Sequence, residues 1–227
     1  MISPERLTKF DRTQSELELL LIFAVAVAGK NAKTTAKAIE RIFEGLDLIG
    51  NTPTHYIRNW FVAGGELLVS AKLKRARTGN YKRMTKFFRE LVDSYVTLES
   101  LDVETLRKFH GISFKTAKMI VLHSKPGERH AVIDTHILKF LRDVVKVQDV
   151  PKSTPTSRKK YEMLEEAFLK WVDERIRYQK HICIPKPGGE GLMDRCVVIE
   201  RDSLTGLANY AKLDLDLWKV YSGNGRA

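Results

Sequence analysis

Two short stretches of sequence decide the fold, and they lie close together in the chain. They read Phe109-His110-Gly111-Ile112-Ser113-Phe114-Lys115-Thr116-Ala117 and Ala131-Val132-Ile133-Asp134-Thr135-His136-Ile137. The first stretch predicts two helices joined by a four-residue hairpin, in which Gly111 supplies a positive φ that other residues resist. In the second stretch, Asp134 follows an apolar run and is a natural N-cap for the next helix.

The rest of the chain predicts an all-α protein of two helical lobes with a small β-hairpin insertion. The capping box Thr13-Gln14-Ser15-Glu16 opens an apolar helix that runs to Ala28 and stops at Gly29. Further helices are predicted at about 33–43, from 53, and at 67–77, 81–94, 102–109, 114–124, 134–145, 157–177 and 208–221. The β-hairpin is expected within 180–202. We predict a single functional unit, with 30–143 in the lobe that holds the helical hairpin and 1–29 plus 144–227 in the other.

The composition is that of a globular protein with a polyanionic partner. Hydrophobic residues make up 43% of the chain and charged residues 30%, while the formal net charge is +11. Only two cysteines are present, Cys183 and Cys196, so we expect no disulfide framework and a reducing cytoplasm. The start lacks the apolar region of a signal peptide, and the apolar run Leu19–Ala28 is too short for a membrane span. We therefore expect no membrane partner.

The hairpin is a candidate site for the DNA backbone. Its amides and the start of the following helix offer N–H donors and partial positive charge, which suit a phosphate. A dense basic segment precedes it and has a polar-aromatic turn at its centre. The candidate DNA-binding residues in these two places are His110, Gly111, Ile112 and Ser113, and Arg77, Asn80, Tyr81, Lys82 and Arg83. An ordinary αα-hairpin and a solvated charged face are the competing interpretations.

Lys115 and Asp134 are the candidate catalytic residues. A lysine in the first turn of a helix meets the positive end of the dipole, which favours the neutral, nucleophilic amine. Asp134 could stabilise positive charge on a sugar as a base departs. The alternatives are an exposed lysine and a plain N-cap. We interpret His123, His130 and His136 as structural, and the spacing of His181, Cys183 and Cys196 matches no common metal site, so no metal is expected.

Taken together, residues 106–141 closely resemble the helix-hairpin-helix superfamily of DNA glycosylases, which includes endonuclease III. That family reads Leu-Pro-Gly-(apolar)-Gly-(any)-Lys-Thr-Ala and then (apolar)-Asp-Thr-His. By this resemblance Lys115 is the lysine that forms a Schiff base and Asp134 is the essential aspartate. His110 stands where the family has proline, and Ser113 where it has the second glycine. The four-cysteine iron–sulfur pattern of endonuclease III is absent from this sequence.

The resemblance extends thinly over most of the chain. Residues 18–42 resemble the family's first helix pair, whose loop, here Gly29-Lys30-Asn31, enters the DNA; this adds Lys30 and Asn31 to the DNA-binding residues. The tail Lys212-Leu213-Asp214-Leu215-Asp216-Leu217-Trp218 is similar to the end of the archaeal-type 8-oxoguanine glycosylases. We therefore expect the base pocket to include Gly29, Asp214, Asp216 and Trp218, with core packing as the alternative for Trp218. The sequence ends in Arg226-Ala227 rather than in that group's terminal lysine.

The resemblance implies a cytoplasmic, monomeric DNA glycosylase with AP lyase activity, acting at the nucleoid or on phage DNA. It would flip a modified base of duplex DNA, first of all 8-oxoguanine, into the cleft between its lobes and excise it without any cofactor. One alternative is a glycosylase of the same fold that removes a hypermodified, for example glucosylated, phage base in defence. Two others are a non-catalytic helix-hairpin-helix DNA-binding protein and a basic scaffold protein.

Overall fold

The computed structural model describes residues 3–94, 96–178, 181–184, 195–201, 206 and 208–222. The chain forms two compact units, 1–124 and 125–227. In the described ranges both units are built mainly from helices, as the hydrophobic periodicity predicts, with one antiparallel pair of short strands. The predicted grouping of 30–143 against 1–29 plus 144–227 stays a prediction.

The first unit holds six helices among its described residues. After a single 3-10 turn at Pro4–Arg6 come α1 (Gln14–Ala26), α2 (Ala32–Ile42), α3 (Pro53–Ala76), α4 (Tyr81–Val92), α5 (Val103–Leu106) and α6 (Phe114–Leu122). The predicted capping box at the start of α1 is confirmed, because Thr13 Oγ1 accepts from Glu16 N–H and Glu16 Oε2 accepts from Thr13 N–H. Most of α1 is buried whichever way its side chains point, and it contacts α2, α3, α4 and α6. It is the central helix of this unit.

Glycines and caps set the ends and the bend of these helices. The predicted helices from 53 and at 67–77 are both present as the two halves of α3, which are separated by a kink with non-helical backbone at Gly64 and Gly65. Gly65 has a φ of +60°, which a residue with a side chain resists. The predicted helix 102–109 begins as expected with Asp102 as its cap but ends at Leu106, and tight turns carry the chain to Phe109.

The second unit contains three helices and the two strands in its described part. They are α7 (Thr135–Phe140), which continues into a π-helical turn at Leu141–Val145, α8 (Arg158–Tyr178), β1 (His181–Ile184), β2 (Arg195–Val198) and α9 (Tyr210–Ser222). The strands pair antiparallel with Cys183 opposite Cys196, which confirms the β-hairpin; its predicted turn at Pro187-Gly188-Gly189 lies outside the described residues. Phe140 packs edge-on against Phe168 and Trp171 in the core.

No helix in the described part of the chain has the length and apolar character needed to cross a membrane.

Candidate active site and nucleic-acid interface

The predicted hairpin between α5 and α6 is present. Ile112 N–H donates to Phe109 O at 3.2 Å, and Gly111 has the predicted positive φ, +88°. Ser113 is the N-cap of α6, and its hydroxyl accepts from Thr116 N–H at 3.3 Å. The side chains of Phe109 and Ile112 are buried in the core of the first unit, so at Ile112 only the backbone can meet a ligand.

The hairpin packs tightly on α4 and α1 at Gly111. A Cβ at this position would lie 3.0 Å from Cδ and 3.1 Å from Cγ of Arg83, and 3.1 Å from Cγ1 of Val25. Real Cβ atoms rarely come that close to a neighbour. Glycine is therefore favoured here for two reasons, the positive φ and the lack of space for a Cβ. Arg83 of α4 is a side chain against which the hairpin packs.

Three predicted DNA-binding residues meet beside the hairpin. With its amide oxygen turned toward the cations, Asn80 accepts from Arg83 Nη2 at 3.1 Å and from Lys30 Nζ at 3.3 Å. Lys30 also donates to Thr78 O, and Arg83 Nη2 donates to Val25 O at 2.8 Å. Burial, and with it the neighbouring Arg83 guanidinium, lowers the pKa of Lys30. The loop after α1 and the turn before α4 thus meet beside the hairpin. Their residues Lys30, Asn80 and Arg83 form one cationic surface, which we call the Lys30–Arg83 cluster.

The other candidate DNA-binding residues of the first unit lie around this cluster. Asn31 is exposed and caps α2 by accepting from Thr34 N–H at 3.1 Å. Arg77 and Lys82 are exposed, Tyr81 is half-buried, and both Arg77 and Asn80 have left-handed backbone conformations that build the turn. The lack of a side chain at Gly79 leaves room for Lys30, whose Nζ would be 2.9 Å from a Cβ at that position.

Glu90 is a residue of this surface that the sequence reasoning missed. Its carboxylate accepts a hydrogen bond from the backbone N–H of His110. The family has proline at that position, which has no N–H, so the departure at His110 creates a donor that Glu90 takes up. The only sequence signal was an acid at the end of a basic run. A carboxylate beside the hairpin reduces its positive field.

Lys115 is the second residue of α6 and follows the hairpin directly. Its side chain is half-buried. The Arg107 guanidinium stacks on the ring of the preceding Phe114, with 3.4 Å between the guanidinium carbon and the ring centroid. Lys118, one turn further along α6, is buried at 8% exposure. Of these two lysines, Lys115 is therefore the one with more access to solvent.

In the second unit, Asp134 has an extended backbone conformation and is the N-cap of α7. Its Oδ1 accepts from His136 N–H at 2.8 Å and from Ile137 N–H at 2.9 Å, so the predicted cap is confirmed. The segment before it, 131–133, is buried. Two side chains of α8 bind its backbone: Tyr161 through Ala131 O and Ile133 N–H, and Glu165 through Ala131 N–H.

Helix α9 carries three candidate pocket residues, which lie on two different faces of the helix. Asp214 and Trp218 are one turn apart and share a face, whereas Asp216 projects about 200° away from Asp214 around the helix axis. Asp216 forms ion pairs with Lys212 at 2.6 Å and Lys219 at 3.4 Å. Helices α7 and α9 are packed together, and the rings of His136 and Tyr221 stack with centroids 6.5 Å apart.

Asp214 and Asp134 both act electrostatically on Tyr161. Burial raises the pKa of Tyr161 far above its ordinary value, and the negative charges of Glu165, Asp214 and Asp134 raise it further. The phenol therefore stays protonated at any working pH. The structure thus brings Asp134 and Asp214 into one neighbourhood of the second unit, while Asp216 is engaged by lysines of its own helix.

Within the residues that the structure describes, no group of three or more His, Cys, Asp or Glu side chains could hold a metal ion.

A helix-hairpin-helix with a lysine behind its hairpin and an aspartate capping a later helix defines the class of helix-hairpin-helix DNA glycosylases. The sequence profile of a family described as 8-oxoguanine DNA glycosylase matches residues 4–176, well over half of the chain. The chain therefore belongs to this family, and it is a DNA glycosylase that excises a modified base.

Solved structures show the same fold. The 8-oxoguanine DNA glycosylase of Thermotoga maritima has a TM-score of 0.55 and 19% identity, over 94% of this chain and 83% of that one. The 8-oxoguanine glycosylase/lyase of Methanocaldococcus jannaschii, in complex with a 15mer DNA containing 8-oxoguanine, has a TM-score of 0.54 and 19% identity, over 94% and 84%. Among curated proteins, no sequence matches the chain.

Proposed function

We propose that this DNA glycosylase also has AP lyase activity, with Lys115 as its nucleophile, and that its substrate is 8-oxoguanine or a related oxidised purine in duplex DNA. The observation that carries the proposal is the position of Lys115: it is the second residue of the helix that begins at the hairpin, inside the part of the chain that matches the family. We further propose that the protein acts as a monomer in the cytoplasm, where its DNA substrate is found.

The proposed reaction starts with the Lys115 amine. The amine attacks C1′ of the flipped nucleotide, the bond from C1′ to the base nitrogen breaks, and the base leaves with the bonding electrons and takes up a proton. Opening of the sugar ring gives a Schiff base between Lys115 and C1′. Loss of a proton from C2′ then expels the 3′ phosphate, and water hydrolyses the remaining conjugate to free the lysine.

Asp134 is proposed to stabilise the positive charge that develops on the sugar as the base departs. Such a role needs a fixed carboxylate, because electrostatic stabilisation is effective only when the charge is already in place. Two backbone N–H groups of α7 hold Oδ1 of Asp134. These bonds fix the orientation of the carboxylate.

The Lys30–Arg83 cluster and the hairpin are proposed to grip the DNA. Backbone amides and cations bind phosphates without reading sequence, which suits an enzyme that must search all DNA for a rare base. Gly29, Lys30 and Asn31 lie at the loop that the resemblance sends into the DNA. His110, Gly111, Ile112 and Ser113 would offer the hairpin backbone, and Arg77, Asn80, Tyr81 and Lys82 the adjoining turn.

Asp214 and Trp218 are proposed to form part of the base pocket. Guanine has an acceptor at N7, whereas 8-oxoguanine carries a hydrogen there, so a carboxylate placed at N7 can accept from the oxidised base but not from guanine. Asp214 is half-buried, and Trp218, one turn away, offers an aromatic face for stacking. Asp216 lies on another face of α9, and its carboxylate is paired with Lys212 and Lys219.

A panel of duplex oligonucleotides, each with one modified base, tests the proposal. We expect release of 8-oxoguanine faster than of guanine, followed by strand nicking at the vacated site. Release of the base without strand nicking would contradict the proposed AP lyase activity. Faster release of a bulky modified pyrimidine would decide for a hypermodified phage base, and binding without release of any base would leave a DNA-binding protein.

A further inference from the structure

The segment 131–133, which directly precedes Asp134, is attached to α8 by three side-chain hydrogen bonds. Tyr161 Oη accepts from Ile133 N–H at 3.0 Å and donates to Ala131 O at 3.0 Å. Glu165 Oε1 accepts from Ala131 N–H at 3.0 Å. The first and last residues of the segment are thus both bound, and both bonding side chains come from the same face of one helix, four residues apart.

We infer that Tyr161 and Glu165 are positioning residues for Asp134 and that they hold its carboxylate where base excision needs it. This inference rests on the proposed function, because it assumes that Asp134 acts in the reaction. Neither side chain is assigned any contact with DNA. Both act through the backbone of 131–133, whose last peptide leads directly into Asp134.

Burial makes this attachment stiff. Tyr161 is 1% exposed and Glu165 6%, while Ala131 and Ile133 are 1% and 0% exposed. Bulk solvent does not reach these positions, so loss of the Tyr161 hydroxyl leaves buried backbone groups unpaired, and we expect the backbone to move in response. The next peptide is constrained as well, because Asp134 N–H donates to Val132 O at 2.6 Å. Movement of the segment would therefore move Asp134.

A tyrosine hydroxyl is suited to form both hydrogen bonds at once, one as acceptor and one as donor. Because the phenol stays protonated, it can donate and accept at the same time. Phenylalanine keeps the ring and its packing but leaves the carbonyl of Ala131 and the amide of Ile133 without their partner. A displacement of about 1 Å at a catalytic group can cost about 10²-fold in rate. The test is therefore a kinetic one on Tyr161→Phe.

The experiment measures single-turnover base release, using the duplex whose base the wild-type enzyme releases fastest in the panel above. The variants are Tyr161→Phe, Asp134→Asn and the double variant, with Tyr210→Phe as the matched control. Tyr210 is also buried in the second unit, at 3% exposure, but its hydroxyl donates to Asp173 and not to the segment. DNA affinity and thermal unfolding are measured for each variant.

We expect Tyr161→Phe to slow base release at least about 10-fold at unchanged DNA affinity, and Tyr210→Phe to leave the rate within about 2-fold of wild type. In the Asp134→Asn background, Tyr161→Phe should add less than about 2-fold, because the group it positions has lost its charge. A purely structural role predicts the same loss in both backgrounds.

Each result separates the two claims. If Asp134→Asn releases the base as fast as wild type, the proposed role of Asp134 fails, and the inference fails with it. If Asp134→Asn is slow but Tyr161→Phe matches Tyr210→Phe, or loses the same factor in both backgrounds, only the inference is overturned. Should Tyr161→Phe not fold, amide exchange of the wild type decides: Ala131 and Ile133 should exchange as slowly as the interior of α8, and rapid exchange would contradict the attachment.

Discussion

Replacing Gly111 with alanine should destabilise the protein and weaken its hold on DNA. Two costs add at this position. A residue with a side chain pays about 1–2 kcal/mol for a left-handed backbone, and Gly111 has a φ of +88°. The new Cβ would also meet Arg83 and Val25 at 3.0–3.1 Å, and forcing atoms into a packed site costs typically about 1–3 kcal/mol. The free energy of unfolding should fall by about 2–5 kcal/mol.

Gly45→Ala is the matched control. Gly45 has a φ of +74°, but a Cβ there has no neighbour within 4 Å. Both variants gain the same reduction in unfolded-chain entropy and pay a similar backbone cost, so their difference isolates the contacts. Thermal unfolding should put Gly111→Ala below Gly45→Ala by about 2–4 °C for each kcal/mol of that difference.

Two further measurements complete the test of the hairpin contact. Gly111→Ala should weaken binding to a plain duplex, whereas Gly45→Ala should bind as wild type does. Removal of the Arg83 side chain beyond Cβ should relieve most of the clash, so Gly111→Ala should cost less in an Arg83→Ala background. Equal melting temperatures for the two glycine variants, with equal DNA affinity, would refute the packing of Gly111 on Arg83.

Three other predictions concern single side chains. Asp134→Asn keeps an oxygen that can cap α7, so the free energy of unfolding should change by less than about 1 kcal/mol while base release slows about 10²-fold or more; early melting with normal release would make Asp134 a cap only. Glu90→Gln should strengthen binding to plain duplex at low salt, because it removes a negative charge beside the hairpin, and unchanged affinity would count against that site. Lys82→Gln should weaken binding to all sequences alike and lower the slope of log affinity against log salt by about 0.9, whereas an unaltered slope would mean that Lys82 meets no phosphate.

The features that the sequence predicted well are those set by neighbours in the chain. The capping box at Thr13, the cap at Asp134 and the positive φ of Gly111 each depend on residues within a few positions. Helix ends were less accurate. The predicted helix 102–109 is helical only to Leu106, because the chain must tighten before the hairpin. The helices predicted from 53 and at 67–77 are both present, and the non-helical backbone of Gly64 and Gly65 separates them.

The features that the sequence did not reveal depend on contacts across the fold. Tyr161 binds a backbone segment 28 residues earlier, and Glu90 binds an amide 20 residues later. No local pattern marks such partners. The opposite case is Asp216, which looked equivalent to Asp214 in the sequence. Helical geometry separates the two by about 200°, and Lys212 and Lys219 form ion pairs with Asp216.

Covalent trapping at Lys115 tests the central claim most directly. Borohydride reduction during the reaction with a cleavable duplex should capture a stable adduct between the enzyme and DNA, because it reduces a Schiff base to an amine that cannot hydrolyse. Lys115→Gln should form no adduct while still binding the duplex, and Lys170→Gln, which alters an exposed lysine of α8, should trap as the wild type does. Peptide mapping should find the DNA remnant on Lys115. An undiminished adduct in Lys115→Gln would contradict the account.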